Sequence, residues 1–144
     1  MKVSARNVFE GRVSRITTGQ VTDEVELRLA GDDVLVAVVG HGGLQQLGLS
    51  EGQSALALIK APWVMVSAPE HAGRLSARNQ LLGVVCSLVA GGVTCDVGIR
   101  LPGGEVVHAV ITQDAVRDLR LAVGQVACAV IKASDIVLAT RHTV

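Results

Sequence analysis

The stretch VTDEVELRL, residues 21–29, alternates along its length, with Val21, Asp23, Val25, Leu27 and Leu29 on one face and Asp23 as its polar exception. A period of two is the mark of a half-buried strand. The same texture runs on both sides of it. NVFEGRVSRITTG, DVLVAVVG and SALALIKAPWVMVS are short runs rich in Val, Leu and Ile, separated by Gly and Asp. Gly31-Asp32-Asp33 and, later, Pro102-Gly103-Gly104 read as hairpin turns. Helical spacing is confined to TQDAVRDLRLAVGQ, where Ala115, Val116 and Leu119 recur, Thr112 is placed to cap the start and Asp114 falls in the first turn. The Gly-rich GHGGLQQLGLSEGQ is its weaker counterpart.

That counterpart exists because the chain is a repeat. Shifted by 72 residues against itself, it superposes SARN 4–7 on SARN 76–79 and LIKA 58–61 on VIKA 130–133 with no gap between them. Gly11 meets Gly83, GQVT 19–22 meets GGVT 91–94, Arg28 meets Arg100, and GQSALA 52–57 meets GQVACA 124–129. Two modules are therefore expected, residues 1–68 and 76–144, joined at 69–75 within SAPEHAGRL, which carries Pro, Gly and charge. The fold class is all-β: two tandem five-stranded barrels resembling the oligonucleotide/oligosaccharide-binding fold, each with one short helix. A module this small buries a modest core, so the two are expected to pack on each other and on further subunits.

Composition excludes several functions. The formal net charge is zero and the only aromatic residues are Phe9 and Trp63, so neither a basic face nor a base-stacking surface is available and no nucleic-acid partner is expected. Apolar residues make up 49% of the chain, yet no uninterrupted run approaches the roughly 20 residues of a membrane-spanning helix. MKVSARNVFE has no secretory apolar segment, which reads as cytoplasmic. Cys86, Cys95 and Cys128 face Ser14, Asp23 and Leu56 in the other copy, lack CxxC spacing and read as free structural thiols. With no nucleophile–base pair or metal cluster common to both copies, no enzymatic activity, catalytic cofactor or bare metal ion is expected.

What both copies do share is a set of donors. Lysine occurs only at positions 2, 60 and 132, and Lys60 and Lys132 occupy one repeat position at the end of an apolar strand. Arg6 and Arg78 are matched likewise, beside Ser4/Ser76 and Asn7/Asn79. Neither SARN nor IKA contains an acid. Ser, Arg, Lys and adjacent backbone N–H groups suit a ligand that offers only acceptors, a fully ionised oxyanion. The plain alternative is that each Lys leaves a strand into water and each Arg pairs with a surface acid.

Two tandem copies, each opened by SARN and closed by KA, resemble the molbindins, the molybdate-binding Mop family, and the two-module length resembles its di-domain members. The resemblance implies a homotrimer that binds molybdate or tungstate for intracellular storage or homeostasis. It assigns the ligand to Ser4, Ala5, Arg6, Lys60 and Ala61 in one set and to Ser76, Ala77, Arg78, Lys132, Ala133 and Ser134 in the other, with Ala acting through its N–H. It further implies a site on the threefold axis, for which Gly19, Gln20, Val21, Gly91, Gly92 and Val93 are candidates beside a plain turn role. A molybdate-sensing module acting through a separate partner protein is the alternative, since no helix-turn-helix or phosphate loop is present.

One departure stands out: Pro62 occupies the position of Ser134. Proline has neither a hydroxyl nor an N–H, so its pocket is expected to be weaker or to use a water. His41, His71, His108 and His142 are not matched between copies and read as surface or interface residues. Trp63, opposite Asp135, reads as packing, and Asp114, Asp118 and Glu105 as solvated.

Overall fold

A computed structural model describes residues 1–141; His142 lies outside them. The first repeat forms β1 (Asn7–Thr17), β2 (Thr22–Arg28), β3 (Val34–Gly40), α1 (His41–Leu47), β4 (Ser54–Ile59) and β5 (Met65–Ser67). The second forms β6 (Asn79–Ala90), β7 (Thr94–Arg100), β8 (Val106–Thr112), α2 (Gln113–Asp118), β9 (Val126–Ile131) and β10 (Val137–Ala139). Thr112 caps α2, its hydroxyl accepting from the Ala115 N–H at 3.1 Å. The Gly-rich counterpart is nonetheless a helix, held by Leu44 in the core and ended by Gly48 at φ +64°. Val21 leaves the face assigned to it: β2 begins at Thr22, and Val21 is exposed in the preceding loop, while Asp23, Val25, Leu27 and Leu29 are buried.

All pairing is antiparallel, and the two five-stranded sheets run β10-β4-β1-β2-β3 and β5-β9-β6-β7-β8. The last short strand of each repeat is thus given to the sheet of the other. Val137 pairs with Leu58, and Met65 with Val130. β10 also approaches β3, and β5 approaches β8, so each sheet curls toward closure. The first strand of each repeat helps it curl. A bulge interrupts the register between Val13 and Arg15 and, at the matched place, between Val85 and Ser87. Just before the bulge, Gly11 and Gly83 lie so near the next strand that a Cβ would come within 2.7 Å and 2.5 Å of the carbonyl oxygens of Arg28 and Arg100. Only glycine permits that approach.

The apolar faces of both sheets join one core cluster, which runs from Phe9, Val25 and Ile59 to Val97, Ile99 and Ile131. Three short 3-10 turns complete the chain. The turn Ala61–Trp63 packs against β8 and the turn Ala133–Asp135 against β3, so each Lys-Ala corner rests on the other repeat. The third, Pro69–His71, leads into the join and leaves His71 exposed. At the other end of the interface the two hairpin turns meet, and a Cβ on Gly31 would lie 2.2 Å from the Gly103 nitrogen. Glu105 lies in this contact rather than in solvent. One of its carboxylate oxygens accepts from the Ala30 N–H at 3.1 Å, and the other is buried without a partner. Burial and then the charge of Glu105 push the Asp33 carboxyl above the ordinary range. Among the described residues no helix is long and apolar enough to cross a membrane.

Candidate functional site

The SARN segments open the first strand of each repeat, and their four residues do different things. Asn7 and Asn79 are buried clamps. β3 and β8 are edge strands, and an edge carries unpaired N–H and C=O groups. The Asn79 side chain closes one edge: its Oδ1 accepts from the Val36 N–H at 2.7 Å, and its Nδ2 donates to the Val36 carbonyl at 2.8 Å and the Ile131 carbonyl at 3.2 Å. Asn7 does the same to His108, at 2.7 Å and 2.8 Å. Each asparagine thereby sews its own repeat to the other.

The arginines reach across as well. The Arg78 guanidinium makes a two-pronged pair with Glu24, both contacts 2.9 Å, and Arg6 lies 3.4 Å from Asp96. Glu24 and Asp96 are themselves a 72-residue pair, so the two bridges are images of each other. The hydrogen bonds from Arg78 draw the Glu24 carboxyl below its ordinary range against the effect of burial. Both arginine side chains thus have acid partners, as the plain alternative anticipated. His108 completes the first cluster, its Nδ1 lying 2.9 Å from Asp96, which makes it an interface residue. His41 contacts Asp23, the polar exception on the buried face, at 2.9 Å, and the Gly19 N–H donates to the same carboxylate at 2.9 Å. Burial pushes Asp23 up, but these two partners outweigh it and hold the carboxyl below the ordinary range.

The second donor set converges. Ser76, Ala77, Arg78, Lys132, Ala133 and Ser134 all line one cavity of about 420 Å³, walled by Val38, Met65, Leu75 and Val130. Among the described residues no carboxylate lines it. The turn Ala133–Asp135 uses the N–H groups of Asp135 and Ile136, which donate to the carbonyls of Lys132 and Ala133, so the N–H groups of Ala133 and Ser134 are not consumed by it. Gln80 fixes the opposite lip. Its Nε2 donates to the carbonyls of Ala77 at 2.8 Å and Leu75 at 2.9 Å, and its Oε1 accepts from the Gly73 N–H at 2.6 Å.

None of Ser4, Ala5, Arg6, Lys60 and Ala61 lines this cavity. Ser4 is exposed, Ala5 half-buried and Ala61 buried. The Lys60 ammonium lies over the Trp63 ring, 5.3 Å from its centroid. Gly19, Gln20 and Val21, and Gly91, Gly92 and Val93, sit on exposed loops ahead of β2 and β7. Their backbones are tied down: the Gly91 N–H donates to Thr94, and the carbonyls of Val21 and Val93 accept from His41 and Gln113. The second glycine of the later loop, Gly92, sits at φ +91°. All three cysteines are free thiols, with Cys95 and Cys128 buried. The described residues include no group of three or more His, Cys, Asp or Glu side chains able to hold a metal ion.

Sequence reasoning missed Gln80, and the walls Val38 and Met65, because they have no like residue in the other copy or are apolar. It also missed the acid partners Glu24 and Asp96, although their 72-residue spacing was a usable signal.

Comparison with known proteins gives a consistent picture. The TOBE domain family matches residues 3–66 and again 75–138. The chain is 42% identical over 142 residues to the molybdenum transport protein ModE of Herbaspirillum seropedicae, covering 99% of this chain and 53% of that protein. It is 39% identical over 139 residues to the molybdenum-pterin-binding protein MopA of Rhodobacter capsulatus, covering 96% and 52%. The chain thus spans about half the length of these relatives. A crystal structure of the cytoplasmic molybdate-binding protein ModG, with molybdate bound, superposes with a TM-score of 0.91 at 43% identity, covering 96% of this chain and 98% of that one.

Proposed function

The chain belongs to the TOBE-domain family, and from that premise we propose that it binds molybdate, and tungstate with it, as a storage or homeostasis protein without catalytic activity. The observation that carries this reading is the gathering of Ser76–Arg78 and Lys132–Ser134 around one cavity, residues that bring hydroxyl, ammonium and backbone N–H donors, with no acid among the described residues that line it. A dianion without protons offers acceptors on every side and needs such a lining. Because the Arg78 guanidinium is engaged by Glu24, the ligand-facing part of residues 76–78 is the Ser76 hydroxyl and the backbone, and Lys132 supplies the charge.

Residues 1–68 and 76–144 act as two modules in this reading, and the family matches falling one in each support it. A homotrimer would complete the open side of the cavity and bring the loops at 19–21 and 91–93 together on an axis. The exposed Val21 and Val93, 80% and 79% accessible, are suited to burial there. A cytoplasmic location follows the ModG likeness.

The test is native mass spectrometry of the purified chain with molybdate, tungstate, sulfate and phosphate in turn. A trimer that takes up several molybdates, takes up fewer on Lys132→Ala and ignores phosphate supports the proposal. Failure to take up molybdate or tungstate refutes it. Molybdate-dependent capture of a defined regulatory partner, with little bound anion per particle, would favour the sensing alternative.

A further inference from the structure

The two Lys-Ala corners occupy the same repeat position, yet three independent features make them chemically unequal. The first is the donor count: Ser134 contributes a hydroxyl and an N–H, and Pro62 contributes neither. The second is the state of the lysine. Lys60 rests on the face of Trp63 at 5.3 Å, while the residue matched to Trp63 is Asp135, which offers no such platform. The contact with the indole face fixes the Lys60 ammonium and competes with an anion for it. The third is order. Gln80 ties down Gly73, Leu75 and Ala77 around the second SARN segment, whereas Val8 stands at its repeat position and has no side-chain donor or acceptor.

We propose that Trp63 and Pro62 hold the Lys60 corner in a closed, low-affinity state, while Gln80 preorganises the Lys132 corner, so that oxyanions fill the Lys132 corners first and the Lys60 corners only at higher concentration. Preorganisation lowers the ordering cost of binding. Two missing charge-assisted donors plus a competing cation–π contact separate the classes by at least about tenfold. This inference rests on the oxyanion reading above. It gives the protein a graded response, in which occupancy of the weak corners reports abundance of the anion.

Trp63 makes the idea measurable, because it is the only Trp in a chain without Tyr, so intrinsic emission comes from the Lys60 corner alone. The intact protein is titrated with sodium molybdate by calorimetry and by Trp emission in parallel. The expected result is two classes of sites in equal number, at least about tenfold apart, with emission constant through the first class and shifting only through the second. Pro62→Ser, which keeps the reporter, and Trp63→Asp, followed by calorimetry, should each draw the weak class toward the strong one. Gln80→Val should weaken the strong class alone. A single class of equal corners, or an emission change with the first equivalents, would overturn the inference while leaving the oxyanion reading intact. No uptake in either experiment would overturn both.

Discussion

Asn79→Ala tests whether the asparagine clamps hold the repeats together. Asn79 is 1% exposed, and the substitution deletes three hydrogen bonds, those to the Val36 N–H, the Val36 carbonyl and the Ile131 carbonyl. The Ile131 carbonyl belongs to a strand paired on both sides, but the Val36 N–H and carbonyl point together off a sheet edge, and the N–H keeps no partner. At about 1 kcal/mol for each of the two bonds to carbonyls, plus the penalty of about 1–3 kcal/mol for the stranded buried donor, the cost is roughly 3–5 kcal/mol. At this chain length that lowers the Tm by roughly 10 °C. Asn7→Ala removes two bonds to a partly buried strand, and water can reach the groups it leaves, so it should cost about 1–2 kcal/mol. The assay is equilibrium urea unfolding at fixed protein concentration, read as the change in midpoint at constant slope. A loss below about 1 kcal/mol for Asn79→Ala, or a larger loss for Asn7→Ala, would refute the clamp.

Acid should loosen the same interface. Glu24 is drawn below its ordinary range by Arg78, so its contribution is fully present above that range and fades as pH falls through the lowered value. The midpoint of wild type should therefore drop on acidification more than that of Arg78→Ala, which a pH series of urea curves would detect. Glycine substitutions should split by their surroundings. Gly31→Ala meets the Gly103 backbone and should destabilise by about 1–3 kcal/mol, whereas Gly42→Ala on α1 faces open space and should stabilise by up to about 1 kcal/mol. Thiol titration should find Cys86 first. Cys95 and Cys128 are buried and their thiols pushed up by desolvation, so they should react with a disulfide reagent only on unfolding.

The sheets were legible because burial has a period of two: β2 alternates as its sequence does, β7 follows it except at the buried Gly98, and the repeat doubled the signal. Thr112 as a cap and the two hairpin turns were local chemistry and read directly. What was not legible is what depends on partners distant in sequence. The bland reading of Glu105 failed because an isolated acid carries no sign that a turn 75 residues away will cover it. Val21 was misread because alternation does not say where a strand begins. Among the donors, Ser76 and Lys132 were singled out by the repeat, but Gln80 was invisible because its repeat partner, Val8, is apolar. Asn7 and Asn79 were seen to be matched, and their role as clamps became clear only with the edge strands in place.

The reciprocal placement of β5 and β10 bears on how such a chain arose. A single repeat cut from this protein would carry its fifth strand but have no sheet of its own for that strand to close. It would find the missing neighbour in a second copy of itself, the two trading tails about a twofold axis. Joining two such copies end to end turns that bimolecular exchange into an intramolecular one, at an effective concentration set by a link of a few residues. From then on the halves are free to diverge, because each copy's tail has one fixed recipient. The contrast of Pro62 with Ser134 is the kind of difference that fusion lets one chain carry.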